Sequence, residues 1–212
     1  MLNKKRGADL LLECLINQEV RKVFGVPGES FLGFLDAIRE NKKIKWIGNR
    51  NEGGASFMAG AYAQLTGKPG ICFVTRAPGA TNASIGIQSA MQGSVPLILF
   101  VGQIHSNFIG REGFQEINYK NFFADIAKDV FEISNVDRIP EIIGRSFKTA
   151  LSGRKGPVIV SLPEDIFFQK SEVKPTKKII IGNSYPSPKN IKDIVENIKK
   201  SKNPLLIVGG SG

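Results

Sequence analysis

Ile44-Lys45-Trp46-Ile47-Gly48-Asn49-Arg50-Asn51-Glu52-Gly53-Gly54-Ala55-Ser56-Phe57-Met58-Ala59-Gly60-Ala61-Tyr62-Ala63 is the stretch on which the fold turns. A strand-like run, Ile44 to Ile47, ends in a polar turn, and a helix built from small residues follows. Between them stands one carboxylate, Glu52, at the carboxyl end of a strand, which is where open α/β sheets bind ligands. A helix N-terminus favours the ionised carboxylate and burial favours the neutral one. A glutamate held near that balance can share a proton with a ring nitrogen of a ligand. A capping glutamate in the first turn is the commoner role for such a residue, and this segment alone does not separate the two readings.

The next βα unit adds weight to the first. Ile71-Cys72-Phe73-Val74-Thr75 runs into Arg76-Ala77-Pro78-Gly79-Ala80-Thr81-Asn82, a buried strand followed by a Pro-Gly turn and a second small-residue helix. Two successive strand ends thus carry polar and Gly-rich elements on one edge of a sheet. Working outward, helix and strand alternate from residue 8 to 163. Helices are expected at about 8–18, 31–39 (with Ser30 as cap), 52–65, 79–91, 118–125 and 137–151. Strands are expected at 22–26, 44–47, 70–75, 96–102, 129–133 and 157–162. The strands are continuous apolar runs rather than alternating ones, which marks a parallel sheet covered on both faces. The expected fold class is α/β: a doubly wound, six-stranded, mostly parallel sheet with helices on both faces.

The chain of 212 residues is 42% apolar and carries a net charge of +10. Its mean hydropathy of -0.07 suits a water-soluble chain, and no apolar run approaches the ~20 residues of a membrane span. The basic start Lys4-Lys5-Arg6 is followed by an amphipathic pattern rather than an apolar signal core, so a cytoplasmic location is the expectation and no membrane partner is expected. Cys14 and Cys72 each sit in an apolar stretch and read as buried thiols, and the lone histidine, His105, has no metal-ligand spacing. Nucleic acid is not an expected partner. Nine lysines face three acids between Lys170 and Lys202, without arginine clusters or interleaved aromatics, and a lysine-biased composition explains them more simply.

Pro175, Pro186 and Pro188 with scattered lysines break the pattern after residue 168. Residues 1–168 are expected to form one domain, 169–188 a basic linker, and 189–212 the start of a second domain, with a helix at 191–198 and a strand from Pro204 into Gly209-Gly210-Ser211-Gly212.

Val23-Phe24-Gly25-Val26-Pro27-Gly28, the Asn51-Glu52-Gly53-Gly54-Ala55 helix start, Pro78-Gly79-Ala80-Thr81-Asn82, Val101-Gly102-Gln103 and Phe114-Gln115-Glu116 fall in order along residues 7–166. Their order and spacing resemble the N-terminal pyrimidine-binding domain of thiamine diphosphate enzymes of the acetolactate synthase type, and the tail resembles the start of that family's central domain. The resemblance implies that Glu52 hydrogen-bonds N1′ of the cofactor's aminopyrimidine and so promotes loss of the thiazolium C2 proton. The ylide then attacks a 2-keto acid, and decarboxylation or carboligation follows, in a transferase or lyase. By the same resemblance Pro27, Gly28, Thr75, Pro78, Gly79 and Asn82 line the pyrimidine side and Gln115 faces the reacting centre. Read from the residues alone, the Pro-Gly pairs are turn chemistry and Gln115 a loop residue.

Three departures stand out. Glu29 occupies a position that is Gly in typical acetolactate synthases and acidic in 2-keto acid decarboxylases. It could donate a proton to the reacting centre or repel an acidic acceptor, although the paired histidines of such decarboxylases are absent. Ala77 stands where the common form has Gly. No Gly-Asp-Gly occurs, so the Mg2+ ligands are expected in a C-terminal domain that this sequence lacks, and FAD is possible but unsupported. The resemblance implies a homodimer or tetramer, with the site completed by the diphosphate-binding domain of another chain and the chain inactive alone. A 2-keto acid decarboxylase and a non-catalytic or split pyrimidine-domain protein remain alternatives.

Overall fold

Apolar runs such as Ile71-Cys72-Phe73-Val74 build this sheet because alternate residues feed opposite faces of a strand. In the computed structural model, which describes residues 4–182 and 184–209, the chain divides into two units, residues 1–179 and 180–212. The first unit runs β1 (Lys5–Arg6), α1 (Gly7–Asn17), β2 (Lys22–Gly25), α2 (Leu32–Glu40), β3 (Lys45–Gly48), α3 (Glu52–Thr66), β4 (Gly70–Thr75) and α4 (Arg76–Gln92). It continues through β5 (Leu97–Gln103), α5 (Tyr119–Phe123), β6 (Asp129–Glu132), α6 (Ile139–Leu151), β7 (Pro157–Pro163) and β8 (Lys170–Ser171). Six strands form one parallel sheet in the order β3-β2-β4-β5-β7-β6. The order reverses between β2 and β4, so the topological switch point falls there.

Two apolar layers sandwich the sheet. Ile71 and Phe73 of β4, Ile98 and Phe100 of β5, and Val158 and Val160 of β7 face α1, α2 and α6. Cys72, Val74, Leu97, Leu99, Val101 and Ile159 face α3, α4 and α5. Phe73 anchors the first layer, stacked 4.2 Å from Phe34 on one side and 4.5 Å from Phe100 on the other. The second layer is thin because α3 and α4 touch through small residues: a Cβ at Gly86 would run into the Ser56 hydroxyl, so the helices approach at backbone distance.

The doubly wound sheet matches the expected architecture, with local departures. Ser30 does not cap a helix. A 3-10 turn spans Glu29–Phe31 ahead of α2, and the Ser30 hydroxyl instead pairs with Thr75 Oγ1 at 2.6 Å. Helix α4 starts at Arg76, three residues before the expected Gly79, because Arg76 alone reverses the chain at φ +44. Pro78 then lies in the first turn, where its missing N–H costs nothing. A short antiparallel ribbon, β1 with β8, was not foreseen. Residues 170–179, linker-like in composition, are bonded along α1: Asn17 Nδ2 donates to Thr176 O (3.0 Å), Gln18 Nε2 to Lys177 O (2.8 Å), and Ile179 N to Gln18 Oε1 (2.9 Å).

The second unit contains α7 (Pro188–Lys200), capped by Ser187 and with Ile191, Ile194, Val195 and Ile198 exposed along one face. Residues 204–209 form no strand, since a strand needs a neighbour to bond. Gly210, Ser211 and Gly212, the rest of that expected strand, lie outside the described residues. Among the described residues, no helix is long and apolar enough to cross a membrane.

Candidate functional site

The carboxyl ends of β2, β3, β4 and β5 lead into the residues singled out by sequence. Glu52 is the first residue of α3, immediately beyond β3. It does not cap that helix: the Asn51 side chain accepts from Gly53 N (2.8 Å) and Gly54 N (3.3 Å). The half-buried Glu52 carboxylate is therefore available for something else. Its Oε2 accepts from Asn82 Nδ2 at 2.9 Å, and Oε1 accepts no hydrogen bond among the described residues. The Cys72 thiol on β4 is pushed up, first by complete burial and then by the charge of Glu52, which places that charge close to the sheet.

At the switch point, Gly28 presses on Thr75. An added Cβ would stand 2.7 Å from Thr75 Cγ2 and 3.0 Å from its Oγ1. With the Ser30–Thr75 hydroxyl pair, this contact joins the ends of β2 and β4. Pro27 beside it is exposed. Pro78 is exposed in the first turn of α4, and Gly79 is buried against Val74.

The loop after β5 bends back over α4. Gln115, at φ +68, uses its carbonyl to accept the Ala77 N–H at 3.2 Å. Its neighbour Glu116 accepts from Gly110 N (2.6 Å) and Gly113 N (2.9 Å), and these N–H donors hold its carboxyl below the usual range. The loop is pinned at its start by Asp165, which accepts from the Ser106 N–H and hydroxyl, both at 2.8 Å. Burial works to raise the Asp165 pKa, but the Ser106 donors outweigh it and leave it lowered.

Glu29 is exposed and lies 3.2 Å from Arg76 Nη2, which also lies 2.8 Å from Glu164 Oε2. Residue identity flagged neither Arg76 nor Glu164 as functional. The signal available for Glu164 was positional, since it follows a buried strand closed by Pro163, as Glu52 follows β3. The structure thus joins Glu52 to Asn82, Gly28 to Thr75, Gln115 to Ala77 and Glu29 to Arg76. No hydrogen bond among the described residues links Glu52 to Gln115 or Glu29. Among the described residues no group of three or more His, Cys, Asp or Glu is placed to hold a metal ion.

A polar edge across the carboxyl ends of a doubly wound sheet, with a carboxylate beside the switch point, defines a ligand-binding α/β domain. The chain belongs to the family of thiamine pyrophosphate enzymes, N-terminal TPP binding domain, which it matches over residues 5–122. It is 38% identical over 212 residues to "Acetolactate synthase 3, chloroplastic" of Brassica napus, covering 97% of this chain and 32% of that protein. To "Acetolactate synthase large subunit" of Buchnera aphidicola subsp. Schizaphis graminum it is 36% identical, covering 96% of this chain and 37% of that protein. It is also 32% identical to "Acetolactate synthase isozyme 1 large subunit" of Escherichia coli (strain K12), again covering 96% of this chain and 37% of that protein. The chain spans about a third of the length of the curated relatives it matches.

Proposed function

We propose that this chain is the pyrimidine-binding part of a thiamine diphosphate-dependent, acetolactate synthase-like enzyme acting on 2-keto acids. The observation that carries the reading is Glu52: a half-buried carboxylate at a strand end, released from capping by Asn51 and held through one oxygen by Asn82. The other oxygen is left to meet a ring nitrogen of an aminopyrimidine. Pro27, Gly28, Thr75, Pro78, Gly79 and Asn82 form the surrounding wall, with the Gly28–Thr75 contact fixing its floor. Gln115 is brought over α4 by its bond to Ala77 and is assigned to the reacting side. When bound, thiamine diphosphate supplies the electron sink for cleavage next to the keto group. Glu52 holds and returns the proton at the pyrimidine nitrogen, and Asn82 fixes the direction in which it does so. Glu29 pairs with the Arg76 guanidinium at 3.2 Å.

The domain boundaries at 168 and 188 belong to this proposal, as does a Mg2+ site carried by a diphosphate-binding domain. That domain faces this one across a subunit interface of a homodimer or tetramer. The apolar outer face of α3 and α4, with Phe57, Met58 and Ile85 exposed, supports such an assembly. Two buried free thiols support a reducing, cytoplasmic setting. The test is C2 hydrogen–deuterium exchange of thiamine diphosphate, followed by NMR with a diphosphate-binding domain supplied. Glu52→Gln should slow exchange by about 100-fold or more, the scale of acid–base catalysis by one side chain. Exchange at the unmutated rate would remove Glu52 from the role.

A further inference from the structure

The ion pairs at Arg76 are unequal. Its side chain is 11% exposed; Glu164, the inner partner, is 31% exposed at 2.8 Å, and Glu29, the outer partner, is 77% exposed at 3.2 Å. Arg76 Nε is buried and, among the described residues, has no hydrogen-bond partner, although buried donors are nearly always satisfied. The residue sits at φ +44, a conformation that side chains with a Cβ rarely take. The result is a nearly buried guanidinium whose Nη2 is shared by an inner and an exposed carboxylate and whose Nε has no partner among the described residues.

We propose that Arg76 binds the carboxylate of a small organic monoacid, and that Glu29 is the internal carboxylate which this ligand displaces. The proposal deepens and rests on the reading of the chain as part of an enzyme acting on 2-keto acids. The Glu29 carboxylate marks the position on Nη2 that a ligand carboxylate oxygen would take. An exposed ion pair is worth little, so Glu29 can swing into solvent at small cost. The exchange keeps the buried guanidinium compensated throughout, whereas stripping it bare would be costly. Beside the pair lies an open cavity of about 590 Å3 lined by Glu29, Leu32, His105, Glu164 and Phe168, within the usual range for small-molecule sites. Arg76 is not part of its lining, and it is displacement of Glu29 that would bring a ligand there onto Nη2. Leu32 and Phe168, both more than half exposed, offer an apolar wall to the body of the ligand. The remaining carboxylates, Glu164 and Asp165, disfavour multiply charged anions such as phosphate. Arg76 therefore selects an acid over a neutral carbonyl compound at the strand ends.

The test is NMR of the 15N-labelled chain, reading the Arg76 Nε–H resonance during titration with pyruvate, acetone or inorganic phosphate. Pyruvate should move the resonance saturably, and acetone and phosphate should not. Glu29→Gln removes the internal competitor and should tighten pyruvate binding by roughly two- to fivefold, the worth of an exposed ion pair. Arg76→Gln should abolish it. Should Arg76→Gln misfold by stranding Glu164, the exposed Glu29→Gln variant still decides. No pyruvate response in either the unmutated chain or Glu29→Gln, weaker binding by Glu29→Gln, or an equal response to acetone or phosphate overturns the proposal. Thiamine added to the same samples, with Glu52→Gln as control, reads the cofactor assignment separately. A thiamine response without a pyruvate response overturns the Arg76 proposal alone. A pyruvate response without a thiamine response supports Arg76 as the carboxylate site, and the cofactor reading is then decided by the C2 exchange measured with a diphosphate-binding domain supplied.

Discussion

Gly28→Ala should be destabilising, and Gly54→Ala, the same change of one methyl, should be stabilising. The added Cβ at residue 28 would stand 2.7 Å from Thr75 Cγ2, and the atoms it meets are fixed at the end of a central strand. Overpacking of this kind costs about 1–3 kcal/mol. In a unit of this size each kcal/mol moves Tm by about 2–4 °C, so Gly28→Ala should lower Tm by roughly 2–12 °C. At Gly54 the nearest atom to the new Cβ is Asn49 Oδ1 at 4.0 Å. There the change removes chain entropy from the unfolded state and should add about 0.4–1 kcal/mol, raising Tm by roughly 1–4 °C. Differential scanning calorimetry of the two variants reads both signs. The double variant Gly28→Ala/Thr75→Gly should be less destabilised than the sum of its singles, because the clash has lost its second partner. A Gly28→Ala chain melting within a degree of the unmutated one, or strict additivity in the double variant, would refute the close contact at the switch point.

Phe73→Ala should cost about 3–5 kcal/mol in urea unfolding, since it empties a site stacked on both sides; a loss below about 1 kcal/mol would mean that the layer collapses around the gap. The tether between Asp165 and Ser106 should be acid-sensitive. The folded-state pKa of Asp165 is depressed, so its contribution is present above the unfolded value of about 3.9 and is lost as pH falls through the folded value. Amide exchange at Ser106, corrected for intrinsic rates, should accelerate on that acid side, and Asp165→Asn should abolish the pH dependence.

The sheet was legible because its central strands are apolar on both faces. Ile71 to Val74 and Leu97 to Val101 leave no polar face to confuse with a surface helix, and Gly and Pro punctuate each end. What the sequence hid was decided by tertiary partners. Ser30 has the right identity for a cap, but Thr75, 45 positions away, takes its hydroxyl. Pro78 looked like a turn because nothing local announces that Arg76 adopts a left-handed conformation. Two-residue strands such as β1 and β8 carry no periodicity to read. Within the candidate site, Glu52 could be found by its position after a strand. Its bond to Asn82 spans 30 residues, and the pairs Arg76 makes with Glu29 and Glu164 span 47 and 88, so no spacing rule reaches them.

The ribbon of Lys5–Arg6 with Lys170–Ser171 has a consequence for how this unit can be embedded in longer chains. Its two ends run antiparallel side by side, with Lys5 opposite Ser171 and the Gly7 N–H bonded to Gln169 O at 2.8 Å. The polypeptide between them is in effect a closed ring with one gate. Units whose ends meet in this way tolerate circular permutation and insertion into a host chain. Residues 5 and 171 joined by a short linker, with new termini opened in the exposed turn at Gly153-Arg154-Lys155, should retain all six parallel strands in their order. Whatever sequence is attached at that gate, the polar edge of the sheet is assembled from inside the ring.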